Sequence, residues 1–285
     1  MHWKTKSSAF RIINYFPLSQ DILYRLQRHV TKEIPRKDYI FERLLIAAKK
    51  IKYEVDNTRE TSSPAHYVEI GAGRDLALAI ALRMLGVEKI TCIDLFPLAK
   101  PYLIQKAASY LSKKLSVPLP SIKTFSDIED FGIHYVAPSS LANANIHPNS
   151  VDVFYTTDTL EHIPRDALRL LIGDISTILK PQGLCINFID YSDHYARSDN
   201  SISPFNFLQY SEQDWSKHNT PLHFVNRMRH SEYISLFSEN NFIILQVSSE
   251  REKPPENLVI SQEFQDFEKP DIFTVRAKIT CQKPR

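Results

Sequence analysis

Two glycines stand one residue apart in Glu69-Ile-Gly-Ala-Gly73, directly after the short apolar run His66 to Ile70. Only six glycines occur in 285 residues, and a residue without a Cβ is what lets backbone approach a ligand, so this pair marks a ligand-facing turn. A dinucleotide fingerprint would need a third glycine at position 76, which is Leu76. At the end of the next apolar run, Lys89 to Asp94, a carboxylate is placed to accept two hydrogen bonds from the ribose hydroxyls of a nucleoside cofactor.

Imidazoles and carboxylates gather in two later stretches. The first runs Asp152-Val-Phe-Tyr-Thr-Thr-Asp-Thr-Leu-Glu-His162-Ile-Pro, and the second Asp190-Tyr-Ser-Asp193-His194-Tyr-Ala-Arg197. An imidazole titrating near ~6.5 can take a hydroxyl proton at neutral pH, which makes His194 the first candidate for a base and His162 the second. Asp190 or Asp193 would orient the ring. Asp158, Asp190, Asp193 and His194 could instead hold a divalent cation, but spacings of a few residues within loops form no ligand pattern, and no metal is expected.

These groups need elements to hold them. Helical periodicity covers Ser19 to Val30 and Asp38 to Ile51, ahead of a polar linker from Asp56 to Pro64. From His66 onward strands alternate with helices. Strands are expected at 66–70, 89–94, 133–137, 151–156 and 184–189, with helices over 75–85, 100–115 and from Pro164 to Leu179. A sixth strand at 242–247 follows a helix at 231–237, and 272–281 alternates apolar with polar residues as a final antiparallel strand does. The result is a doubly wound α/β sheet, with ligands bound outside the carboxyl ends of its strands.

The glycine turn, Asp94, the Leu160-Glu-His-Ile-Pro164 segment and Leu179-Lys-Pro-Gln-Gly183 resemble, in this order, the class I S-adenosylmethionine-dependent methyltransferases. The likeness is to the branch reading LEHIP and LKPGG, over roughly Tyr67 to Val247. It implies a seven-stranded mixed Rossmann-like sheet and S-adenosylmethionine as cofactor. By the same resemblance Glu69, Gly71 and Gly73 line its methionine and ribose, Asp94 holds the ribose, Thr157 touches the cofactor, and Ser140 and Leu141 flank the adenine. The chain departs from the pattern at Gly73-Arg-Asp and at Gln182, which stands for a glycine. On this reading 1–63 is an N-terminal helical cap and linker, 64–285 the methyltransferase domain, and 190–229 an insertion covering the substrate.

Within that insertion Asn206, Trp215, Asn226, Arg227 and Arg229 are expected to hold the acceptor, since rings pack on sugar faces and guanidinium forks grip phosphate or carboxylate. The SISPFNFLQYSE and NRMR stretches resemble methyltransferases of bacterial surface-polysaccharide pathways. The expected activity is O-methylation of a small molecule or glycan. A non-catalytic scaffold that binds the cofactor is the alternative. An NAD-dependent oxidoreductase is opposed by Leu76 and by the lack of a Tyr-x-x-x-Lys pair after the fourth strand.

Composition agrees with a small-molecule partner. With 35 basic and 33 acidic residues the net charge is +2, which gives no footprint for nucleic acid or an anionic membrane. No apolar run approaches the roughly 20 residues that span a bilayer, and Met1 to Phe16 lacks the apolar core of a secretory signal. Cys92, Cys185 and Cys281 lie far apart in strand-like runs, which fits buried thiols in a reducing, cytoplasmic setting.

Overall fold

The computed structural model describes residues 1–59 and 63–285. Three helices come first: α1 (Trp3–Asn14), α2 (Ser19–His29) and α3 (Asp38–Thr58). The body then runs β1 (His66–Ile70), α4 (Ala77–Met84), β2 (Lys89–Ile93), α5 (Pro101–Leu115), α6 (Phe125–Asp130), β3 (Ile133–Val136), β4 (Val151–Thr157), α7 (Arg165–Ile178) and β5 (Leu179–Asp190). Last come α8 (Glu212–Trp215), α9 (His230–Glu239), β6 (Ile243–Arg251), α10 (Lys269–Ile272) and β7 (Thr274–Gln282). The strands form one sheet in the order β3-β2-β1-β4-β5-β7-β6. β1 to β5 pair in parallel, and β7 is antiparallel to both β5 and β6, so the doubly wound seven-stranded mixed sheet is present as expected.

Side chains alternate between two apolar layers, as strand geometry requires. Tyr67, Ile90, Cys92, Val153 and Tyr155 face a core shared with α3, α4 and α5, whereas Val68, Ile70, Ile93 and Phe154 face one shared with α7 and α9. Burial on both faces explains why these strands read as nearly continuous apolar runs. All three cysteines are buried and free. Among the described residues no helix is long and apolar enough to cross a membrane.

The helix α3 is part of this core. Phe41, Leu44, Leu45, Ile51 and Val55 are buried along one stripe, each contributing roughly 1.5–3 kcal/mol on area grounds. It extends to Thr58, into the expected linker, with Val55 still buried in the core and Asp56 paired to Lys52 at 2.5 Å. Positions 60–62 of that linker lie outside the described residues.

Four helices, α1, α6, α8 and α10, have no counterpart in the sequence reading. The short α6 begins at a capping box in which Thr124 and Asp127 exchange side-chain and backbone hydrogen bonds. The helix α1 buries Trp3, Ser7 and Phe10, and its aromatic rings enter a third apolar cluster with Tyr195, Phe205, Phe207 and Trp215. The first turn of the chain is thereby tied to the segment that follows β5, with Asp199 accepting the Trp3 N–H at 2.7 Å.

Candidate functional site

The turn after β1 bends through three left-handed residues: Gly71 at φ +71°, Gly73 at +75° and Leu76 at +47°. Gly71 has no alternative, since a Cβ there would meet the Thr159 methyl at 2.5 Å. At Gly73 the nearest atom to a Cβ would be Arg36 Nη2 at 3.5 Å, so that backbone is open to a ligand. Asp75 fixes the far side of the turn by accepting the Ala77 N–H and pairing with Arg36 at 2.9 Å.

Behind the turn Glu69 is buried, with the Tyr155 hydroxyl donating to Oε2 at 3.1 Å. Burial pushes its carboxyl up to about 8. Asp94 follows β2, anchored by its backbone N–H to Val136 and by the Ser139 N–H to its carbonyl. It is 5 % exposed, and its Oδ2 is fully enclosed with no hydrogen-bond partner. Burial pushes this carboxyl up to about 7, against the pull of the Tyr135 hydroxyl and the Gly73 N–H. An orphaned buried carboxylate oxygen costs roughly 1–3 kcal/mol or more, so its position calls for a donor from outside the chain.

The other expected cofactor residues lie after β3 and at the end of β4. Leu141 is buried in the apolar layer with Ile70 and Ile93, and Ser140 precedes it on the loop after β3. Thr157 closes β4, its carbonyl accepting the Thr159 hydroxyl at 3.0 Å. The N-terminal helices lean over this mouth. Tyr24 of α2 lies beneath the Arg74 guanidinium, 4.8 Å from ring centroid to Cζ, and meets the Tyr102 hydroxyl at 2.5 Å. Arg43 of α3 pairs with Asp158 at 2.6 Å.

Beyond the ends of β4 and β5 the imidazoles gather. His162 and His194 stand 4.9 Å apart by ring centroid, with His223 6.2 Å from His194. The Nδ1 of His162 lies 2.6 Å from the Phe224 carbonyl, which can only accept, so the neutral ring carries its proton there and presents Nε2 as a free lone pair. His194 is arranged the other way. Its Nε2 lies 2.8 Å from the Arg197 guanidinium, which can only donate, so that nitrogen is already accepting. Burial, then Arg197, hold His194 well below the usual imidazole range, and desolvation lowers His162 too although its surface stays open to the crevice.

Between the two stretches Asp190 accepts from both Arg197, at 2.7 Å, and Arg276, at 3.1 Å, so it does not orient His194 directly. Asp193 is likewise committed, to the Tyr195 N–H and to Asn206. Next to this pair a cavity of about 390 Å³ opens between α3 and the sheet, lined by Arg43, Lys50, Thr157, Asp158, Arg276 and Lys278 among others.

Four of the five residues expected to grip the acceptor are committed within the chain, and the buried Nε1 of Trp215 has no partner. Arg227 is 3 % exposed and donates to the Phe207 and Tyr210 carbonyls and to Glu212. Arg229 is equally buried, donating to the Arg227 and Tyr191 carbonyls under the rings of Phe207 and Tyr191. Asn226 donates to the Leu160 and Ile163 carbonyls, Asn206 to Asp193, and Trp215 is enclosed by aromatic neighbours. Segment 191–229 has little regular structure, so its carbonyls and those of the loop it covers take donors from side chains. Much of the polarity in this stretch satisfies backbone, the rest going to carboxylates such as Asp193 and Glu212.

Other residues at the site carry no role in the sequence reading. Tyr24, Arg36 and Arg43 reach the crevice from the N-terminal helices, and Arg276 reaches it from β7, where it stands opposite Asp190 in register. Glu161 is the closest to a legible signal, being the neighbour of His162, and both of its carboxylate oxygens are buried without a partner.

No family model and no curated protein matches this chain. Solved structures share its fold at low identity. The carbon methyltransferase of CurJ is 14 % identical, with 85 % of this chain and 54 % of that one covered and a TM-score of 0.46, so the chain spans about half of its length. A protein of Galdieria sulphuraria, provisionally named a sarcosine dimethylglycine methyltransferase, is 18 % identical over 84 % of this chain and 86 % of that one, at a TM-score of 0.49. An S-adenosylmethionine-dependent methyltransferase from Methanosarcina mazei is 16 % identical over 81 % and 97 %, at 0.45.

Proposed function

We propose that this chain is an S-adenosylmethionine-dependent methyltransferase acting on an oxygen of a small molecule or glycan. The observation that carries the reading is the enclosed, unpartnered Oδ2 of Asp94 at the mouth of a glycine turn whose second glycine is open. A ribose diol is the ligand feature that meets such an acceptor with O–H donors. Glu69, Gly71, Gly73 and Thr157 would line the rest of the cofactor, with Ser140 and Leu141 beside its base. Bound there, the cofactor supplies a methyl group on a cationic sulfur, open to in-line displacement.

The chain's own work is then placement and exclusion of water. The acceptor oxygen has to be held about 3 Å from the methyl carbon and in line with the breaking bond. Tyr24, Arg36 and Arg43 cover the crevice from the N-terminal side. The cavity beside Thr157 and Asp158 is the acceptor's entry, with a mixed lining in which Arg43, Arg276 and Lys278 are already paired with carboxylates. The hydroxyl proton leaves toward Glu161, His162 and His194, where the free Nε2 of His162 is the available lone pair. His194, the first candidate from sequence, has its Nε2 occupied by Arg197.

The test is incubation of the full chain with methyl-labelled S-adenosylmethionine and cell extract, followed by mass spectrometry. A labelled product, with the methyl on oxygen, supports the reading. Tight cofactor binding with no labelled product in any extract would favour the scaffold.

A further inference from the structure

Glu161 is 1 % exposed, and neither of its carboxylate oxygens has a hydrogen-bond partner. A carboxylate so placed, with nothing donating to it, is among the costliest arrangements a protein interior holds, unless a cation completes it. Its neighbours are the right kind. One ligand atom each of Glu161, His162 and His194 lie within 4.8 Å of one another, close enough for small side-chain movements to bring all three onto a single metal ion. The His162 ring is held in place by its bond to the Phe224 carbonyl, the outer contact that orients a metal-ligating imidazole and leaves its other nitrogen to the ion.

We infer that Glu161, His162 and His194 bind one divalent first-row transition-metal ion. Two imidazoles and one carboxylate suit manganese, iron, cobalt or zinc rather than magnesium or calcium, which prefer all-oxygen shells. The carboxylates first considered as ligands are committed elsewhere: Asp158 to Arg43, Asp190 to two arginines, Asp193 to Asn206. Arg197 occupies Nε2 of His194, but its side chain is 48 % exposed and its charge is matched by Asp190, so it can swing outward when the ion takes that nitrogen. With the ion bound, Nε2 of His162 is a ligand instead of the proton acceptor, and the ion polarises the acceptor hydroxyl so that its proton is lost to water; that use rests on the methyl-transfer reading, and the binding site does not.

The experiment uses untagged full-length protein, freed of metal by a chelator and titrated with Mn²⁺ while the free ion is followed by electron paramagnetic resonance. One saturable Mn²⁺ per chain is expected, with nitrogen couplings in the pulsed spectrum and displacement by Zn²⁺. Glu161→Gln and His194→Ala should each weaken binding about tenfold or more, in proteins whose circular dichroism matches the parent. No saturable site for either ion, or a site without nitrogen coupling that survives when Glu161→Gln and His194→Ala are combined, would overturn the assignment. S-adenosylmethionine titrated into the same samples separates the two ideas: metal bound without cofactor keeps this site and removes the methyl-transfer reading.

Discussion

The Arg197 guanidinium sits 2.8 Å from Nε2 of His194 while that same arginine is paired with Asp190. A guanidinium has no lone pair to offer, so the imidazole accepts, and the nitrogen that would take a substrate proton is engaged. His162 has the opposite tautomer. Its Nδ1 is held by the Phe224 carbonyl, which leaves Nε2 as the lone pair, one residue from the buried Glu161.

His162→Ala should therefore lower turnover by about 10²- to 10⁴-fold while cofactor affinity stays within about twofold. Single-turnover kinetics alongside calorimetry of cofactor binding check both halves. Unchanged turnover would leave placement alone as the chain's contribution.

Gly71→Ala should weaken both the fold and cofactor binding. The added Cβ would meet Thr159 at 2.5 Å, and the residue would keep a φ of +71° that costs a side chain about 1–2 kcal/mol. Adding Thr159→Gly should recover the steric part of the lost melting temperature and leave the backbone part, which thermal melts of the single and double variants separate.

Stability should fall as pH rises from about 6.5 to 8 in the absence of cofactor. Burial raises Asp94 to about 7 and Glu69 to about 8, so across this window the folded chain keeps protons that the unfolded chain has already released. Below the window the depressed histidines, His66 at about 4 and His223 at about 3, work in the opposite direction. Asp94→Asn should flatten part of the decline, and melting curves at stepped pH with parent and variant would show it.

Arg227→Ala should act on stability, with no selective rise in the acceptor Michaelis constant. Removing this buried side chain strips donors from the Phe207 and Tyr210 carbonyls, at a cost of about 2–3 kcal/mol. A normal melting temperature with a raised Michaelis constant would return Arg227 to the acceptor site.

The sheet was legible because β1, β2, β4 and β5 bury both faces, and burial writes itself into apolar runs. Gln182, at φ +63°, occupies the left-handed position that the related pattern fills with glycine, so even that departure marked a real turn. The helix α1 was not legible: its buried set is Trp3, Ser7 and Phe10, and the cluster that makes those residues internal comes from beyond β5. Asn226, Arg227 and Arg229 were misread for a related reason. A polar side chain that satisfies a carbonyl looks, in sequence, like one that faces a ligand, and only packing separates them.

If the glycine turn and Asp94 hold S-adenosylmethionine, calorimetric titration of that compound into the chain will show it. One cofactor per chain should bind, Asp94→Asn should weaken it about 10- to 100-fold by leaving the ribose a poorer acceptor, and NAD should give no saturable heat. No binding of S-adenosylmethionine, or equal affinity in Asp94→Asn, would remove Asp94 and the glycine turn as its site.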